Sequence, residues 1–120
     1  MNKHHALNYI EFPADDLAAV KKFYTSAFGW TFTDYGPEYT AFSDGVLEGG
    51  FTKGVVAGAH GPLIILYSDG LEASLKTVVA NGGAIAEPIY DFPGGRRFHF
   101  VDPAGNHLAV WSDKPPREKT

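Results

Sequence analysis

Four polar side chains in strand-like runs could do chemistry: Glu11, Arg97, His99 and His107. A carboxylate can take a proton, and an imidazole can exchange one near neutral pH. A guanidinium can hold a carboxylate or an enolate-like anion through paired N–H donors. Tyr9 and Trp111 lie in the same runs and offer aromatic surface. Together the six have the composition of a ligand pocket, largely aromatic with a few directing polar groups. The other reactive types give less. There is no cysteine, which excludes disulfides, thiolate metal sites and a thiol nucleophile. Ser26, Ser43, Ser68, Ser74 and Ser112 lie in no nucleophile-elbow context. No phosphate-binding loop or dinucleotide fingerprint is present, and Gly94-Gly95 reads as a turn. His4 and His5 read as part of a solvated, disordered end rather than a metal clip.

The elements that must position these residues follow from periodicity. Leu7 to Phe12 reads as a strand broken by Pro13. Asp15 and Asp16 are good N-caps for a helix over Leu17 to Phe28. Leu17, Val20, Tyr24, Ala27 and Phe28 form its apolar face, and Gly29 stops it. Strands are expected over Trp30 to Tyr35, Glu38 to Ser43 and Val46 to Thr52, parted by Gly36-Pro37 and Asp44-Gly45. The pattern then repeats. Leu63 to Tyr67 reads as a strand, and Leu71 to Ala80 as a helix with Leu71, Leu75, Val78 and Val79 inward. Asp69 and Glu72 suggest a capping box. Strands over Ala84 to Tyr90, Arg96 to Val101 and His107 to Ser112 follow. A shift of 54 takes Leu17 to Leu71 and aligns Ile10 with Ile64, Asp15 with Asp69, and Gly29 with Gly83. The order is β-α-β-β-β twice, an α+β arrangement. A single domain is expected over 1–113, with modules at about 6–53 and 61–113. Gly54 to His60 would link them, and 114–120 would be a frayed tail.

Totals narrow the class. The chain has 120 residues, 44% of them hydrophobic, which suffices for one core. A formal net charge of −4 argues against nucleic acid, whose binding depends on Lys and Arg neutralising phosphates. No apolar run is long enough to span a membrane. With no apolar signal core near the start, a cytoplasmic location is expected.

Asp16-Leu17, Phe23-Tyr24 and Phe28-Gly29-Trp30 resemble the first-helix signature of the vicinal-oxygen-chelate superfamily, which includes glyoxalases, bleomycin-resistance proteins and dioxygenases. Pro93-Gly94-Gly95-Arg96-Arg97-Phe98-His99-Phe100 and Asp102-Pro103-Ala104-Gly105-Asn106 resemble its closing hairpin. The likeness covers about Leu7 to Ser112. It implies two βαβββ modules forming one curved mixed sheet around a cleft. It also implies a divalent metal held by His, Glu or Gln from the first and last strand of each module. Those positions carry Tyr9, Gly49, Leu63 and Ala109 here, none a usual ligand. A one-residue slip gives Asn8, Glu48, Pro62 and Leu108 or Val110, which does not rebuild a site.

Strand alternation says what lines the implied cleft instead. If Tyr9 faces it, so does Glu11. If Leu63 does, so do Ile65 and Tyr67. If Ala109 does, so do His107 and Trp111. A five-residue loop from Asp102 to Asn106 would pair Val101 with His107, which adds Arg97 and His99 and leaves Phe98, Phe100, Leu108 and Val110 for the core. The ligand-binding set is therefore Tyr9, Glu11, Arg97, His99, His107 and Trp111, with Glu11 and His99 the candidates for proton transfer. Glu11 and Arg97 could also simply form an ion pair. The expectation is a binder of a small, partly aromatic molecule, without a metal and as a homodimer. The alternative is a metal-dependent lyase, isomerase or dioxygenase of the glyoxalase type with a shifted site, using Glu11 and the histidines, although Arg97 beside them would repel a cation.

Overall fold

The structure is a computed structural model that describes residues 2–54 and 61–116. The linker expected over Gly54 to His60 and the tail over 114–120 therefore lie largely outside the described residues. The elements are β1 (Leu7–Pro13), α1 (Leu17–Phe28), β2 (Thr31–Asp34), β3 (Tyr39–Ser43) and β4 (Glu48–Thr52). They are followed by β5 (Leu63–Tyr67), α2 (Leu71–Ala80), β6 (Ala84–Phe92), β7 (Gly95–Val101) and β8 (His107–Ser112). The β-α-β-β-β order occurs twice, as the sequence repeat requires. No described helix is long and apolar enough to cross a membrane.

In the first module the strands lie in the order β2-β3-β4-β1, with β4 parallel to β1. Asp16 caps α1 by accepting the Ala19 amide at 3.1 Å. Gly29 closes it in the left-handed conformation, φ 74°, its amide donating to the Thr25 carbonyl. Leu17, Val20 and Tyr24 pack on one sheet face against Phe12, Phe42 and Phe51. Trp30 is sandwiched in this core, stacked on Tyr24 and on Phe42 at 4.5 Å each. Phe28, expected inside, is 65% exposed. As the last helical residue it has no following turn beside it, and the Phe23, Tyr24 and Trp30 rings approach it only to 6.1–6.4 Å.

In the second module the order is β5-β8-β7-β6. Leu71, Phe98 and Val110 are buried together, with Leu66, Leu75, Val78, Ile85, Ile89 and Phe100 against them. Leu75 and Leu108 are half-buried rather than enclosed. Val79 is exposed, because it sits nearly a quarter-turn from Leu71 at the margin of the apolar stripe. Leu71→Ala should cost about 2–5 kcal/mol in chemical denaturation, the usual range for a fully buried leucine. A loss under about 1 kcal/mol would contradict this core.

The N-terminal segment is exposed, as its composition suggested, but it is hydrogen-bonded in place rather than disordered. The His5 amide donates to the Tyr67 carbonyl and the Tyr67 amide to Ala6, extending the backbone pairing of β5. His5 Nε2 meets Ser74 Oγ at 2.9 Å, and His4 Nδ1 accepts the Asp69 amide at 2.9 Å. The expected capping box at Asp69 is also corrected. Gly70 is the N-cap, and Ser68 Oγ accepts its amide while pairing with Ser74 Oγ at 2.7 Å.

Arg96 ties β7 to α2 through a two-pronged contact with the Glu72 carboxylate, 2.5 and 3.2 Å. That hydrogen-bonded cation holds the Glu72 carboxyl below its usual range. A lowered folded-state value stabilises above the ordinary carboxylate range and is lost as pH falls through the lowered one. The stability gap between the wild type and Glu72→Gln should therefore be widest near neutrality and close on acidification. A gap that widens in acid would contradict the pairing.

Candidate functional site

In each module one face of the strands is covered by the helix, and the sequence-derived residues lie on the other. In the first module, β1–β4 pairing sets Tyr9 opposite Glu48 and Glu11 opposite Gly50, while Tyr39 leads β3 on the same face. The Tyr9 and Tyr39 hydroxyls meet at 2.6 Å, and Glu11 is buried. Burial first, then the neighbouring Glu11 carboxylate and Tyr9, push Tyr39 ionisation up, so its proton is held. Tyr39 was not singled out by sequence. Carrying the alternation of β1 onto β3 would have found it.

In the second module the hairpin register is the one the five-residue loop implied. Val101 pairs with His107, His99 with Ala109 and Arg97 with Trp111. Arg97, His99, His107 and Trp111 therefore share the face away from α2, with Phe98 and Val110 in the core. Ile65 and Tyr67 pair with Ala109 and Trp111 and join that face. The Tyr67 hydroxyl donates to Asp113 at 2.5 Å, and burial, then Asp113, push its pKa up to about 12.

The densest polar contact on this face involves Tyr90, also missed. Arg97 Nε donates to the Tyr90 hydroxyl, which lies 2.8 Å from His99 Nε2. The Arg97 guanidinium sits over the rings of Tyr90 and Phe92, at 5.6 and 5.7 Å. Trp111 lies between Phe92, at 6.4 Å, and Tyr67, at 5.2 Å. Arg97, Tyr90, His99, Phe92 and Trp111 thus form one group. His107 stands on the same face but exposed at the start of β8. In the first module Tyr9 and Glu11 are grouped with Tyr39.

These two modules, in this order and register, have counterparts among known proteins. Residues 6–110 match the glyoxalase/bleomycin resistance protein/dioxygenase superfamily. The chain belongs to this family. Two curated relatives, both "Putative glyoxylase CFP32", from Mycobacterium bovis and Mycobacterium tuberculosis, are 27% identical over 118 residues. The match covers 87% of this chain and 44% of each relative, so the chain spans less than half their length. A Mn(II)-bound glyoxalase from Novosphingobium aromaticivorans superposes with TM-score 0.67 at 21% identity, over 100% of this chain and 44% of that one. Methylmalonyl-CoA epimerase from Mycobacterium tuberculosis gives 0.71 at 11%, over 91% and 88%. Both likenesses show the fold.

The family's metal can now be tested against the residues. Register corrects Gly49 as the last-strand position of the first module. Ile65 pairs with Ala109, and the residue 54 before Ile65, Glu11, pairs with Gly50. Gly50 is the counterpart of Ala109, whereas Gly49 points to the helix side. The turn, where Asp44 Oδ1 accepts the Val46 and Leu47 amides, is one residue longer than its counterpart, so Gly50 stands five residues after Gly45 where Ala109 stands four after Gly105. A side chain at 50 would collide with the Tyr39 ring, which fills the space where a ligating carboxylate would stand. Tyr9, Gly50, Leu63 and Ala109 offer one phenol and no carboxylate or imidazole. Among the described residues no three His, Asp or Glu cluster in a way that could hold an ion. The donor set does not fit a divalent metal at the family position.

Proposed function

We propose that this chain is a binding protein of the glyoxalase/bleomycin resistance/dioxygenase family that takes a small aromatic carboxylate or α-keto acid without a metal. The observation that carries the reading is the Arg97–Tyr90–His99 group flanked by Phe92 and Trp111. Its charge is cationic and its surroundings are aromatic, which suits a planar anion with an apolar body. The expectation from sequence that Tyr9, Glu11 and His107 are ligand-binding residues is part of this proposal.

Isothermal titration with benzoate and phenylpyruvate tests it. Saturable one-to-one binding of either, weaker for benzamide, is the expected result. Indifference to both anions would sink the reading. Chelator tests the metal-free part. A bound ion stabilises the folded state by mass action, so stripping it would lower Tm. Here EDTA should leave Tm unchanged and Mn2+ should not raise it. Stoichiometric Mn2+ uptake with turnover of a carbonyl substrate would favour the metal-dependent alternative.

A further inference from the structure

We propose that Tyr90 is a positioning residue whose phenol, set between Arg97 and His99, holds His99 as the Nδ1–H tautomer and so decides which edge of the imidazole donates. The tautomer follows from the hydrogen count. Arg97 Nε–H is only a donor, so the Tyr90 oxygen accepts from it. That leaves the phenol its own proton and one near partner, His99 Nε2, at 2.8 Å. If the phenol donates there, Nε2 is the unprotonated nitrogen and the ring proton sits on Nδ1. The reverse arrangement would aim two N–H groups at one oxygen and leave the O–H to find another acceptor. A cation donating to the phenol oxygen also polarises the O–H and strengthens it as a donor. Near-parallel Tyr90 and His99 rings, 25° apart, hold the geometry.

The backbone supplies this arrangement deliberately. Tyr90 pairs with Arg97, and Glu87 with His99, so β6 spends one residue more than β7 between the two pairs. The regular hairpin pairing from Phe92 and Gly95 sets Tyr90 opposite Arg97, and the bulge at Pro88 and Ile89 then puts Glu87, not Pro88, opposite His99. In that tautomer the His99 edge turned away from Tyr90 carries the N–H, beside a guanidinium that only donates. For its consequence in ligand choice, acceptor-rich anions over neutral amides, the inference rests on the proposed binding role. The tautomer itself does not.

The two are tested separately. In ligand-free 15N-labelled protein, above the imidazole titration range, a long-range 1H–15N spectrum reads which ring nitrogen carries the proton. His99→Asn identifies the His99 signals among the five histidines. Wild type should show the proton on Nδ1, and Tyr90→Phe should move it to Nε2, the form favoured by free histidine. Tyr90→Phe should also weaken benzoate binding about tenfold, the worth of one hydrogen bond. A proton on Nε2 in the wild type overturns the proposal, with no need of a folded variant. So does a tautomer unchanged in Tyr90→Phe. The expected tautomers with no benzoate binding by the wild type would uphold the role of Tyr90 and sink the ligand class.

Discussion

Gly49→Ala should cost the first module about 3 kcal/mol or more, and Gly50→Ala clearly less. The two neighbours face opposite sides of β4, and each lies under a ring. At Gly49 a methyl would meet the Ile10 carbonyl oxygen and the Phe42 ring. Neither can give way cheaply. Ile10 is held in the β1–β4 ladder, and Phe42 is stacked on Trp30 at 4.5 Å with Phe51 at 5.6 Å. Close-packed cores respond to such overfilling by shifting backbone or forcing rotamers. At Gly50 the obstacle is the outer end of Tyr39, which can swing away at the loss of its 2.6 Å contact with Tyr9. Urea unfolding of both variants checks the order. Equal midpoints, or a Gly49→Ala loss below about 0.5 kcal/mol, would show that the Phe42 ring does not close over the glycine.

What the sequence could reveal here depended on whether a feature was periodic. Both helices were legible to the residue, since Asp16 and Gly29 are chemical stop marks and Leu17, Val20 and Tyr24 recur at helical spacing. The β7–β8 pairing was legible because the loop from Asp102 to Asn106 has a countable length and the wrong parity would expose two phenylalanines. That placed Arg97, His99, His107 and Trp111 on one face. Counting failed where the chain departs from regularity. The turn after Gly45 shifted the first module's counterpart of Ala109 from Gly49 to Gly50. Two register shifts in β6 hid the partner of Tyr90, because pairing run unbroken from Ala84 and Val101 sets it opposite Gly95 and not Arg97. Contacts distant in sequence, such as His5 with Ser74, leave no local pattern to read.

Arg97→Gln should weaken benzoate binding by roughly 10- to 150-fold, about 1.5–3 kcal/mol, the usual worth of a hydrogen bond to a charged group. The substitution removes the cation, while its amide can still reach toward Tyr90. The core should survive, because Phe98 and Val110 pack on the other side of the sheet. Arg97→Lys separates charge from shape. Lysine keeps the cation but has no Nε–H for Tyr90 and no planar group to lie over Tyr90 and Phe92. It should fall between wild type and Gln. Salt should erode wild-type and Lys binding but barely touch that of Gln, because screening acts only on the charge. Titrations at low and high salt, with Tm measured alongside, read both effects. If Arg97→Gln binds benzoate as tightly as the wild type while its Tm is unchanged, the guanidinium is not the anion's partner, and the aromatic residues around it serve packing alone.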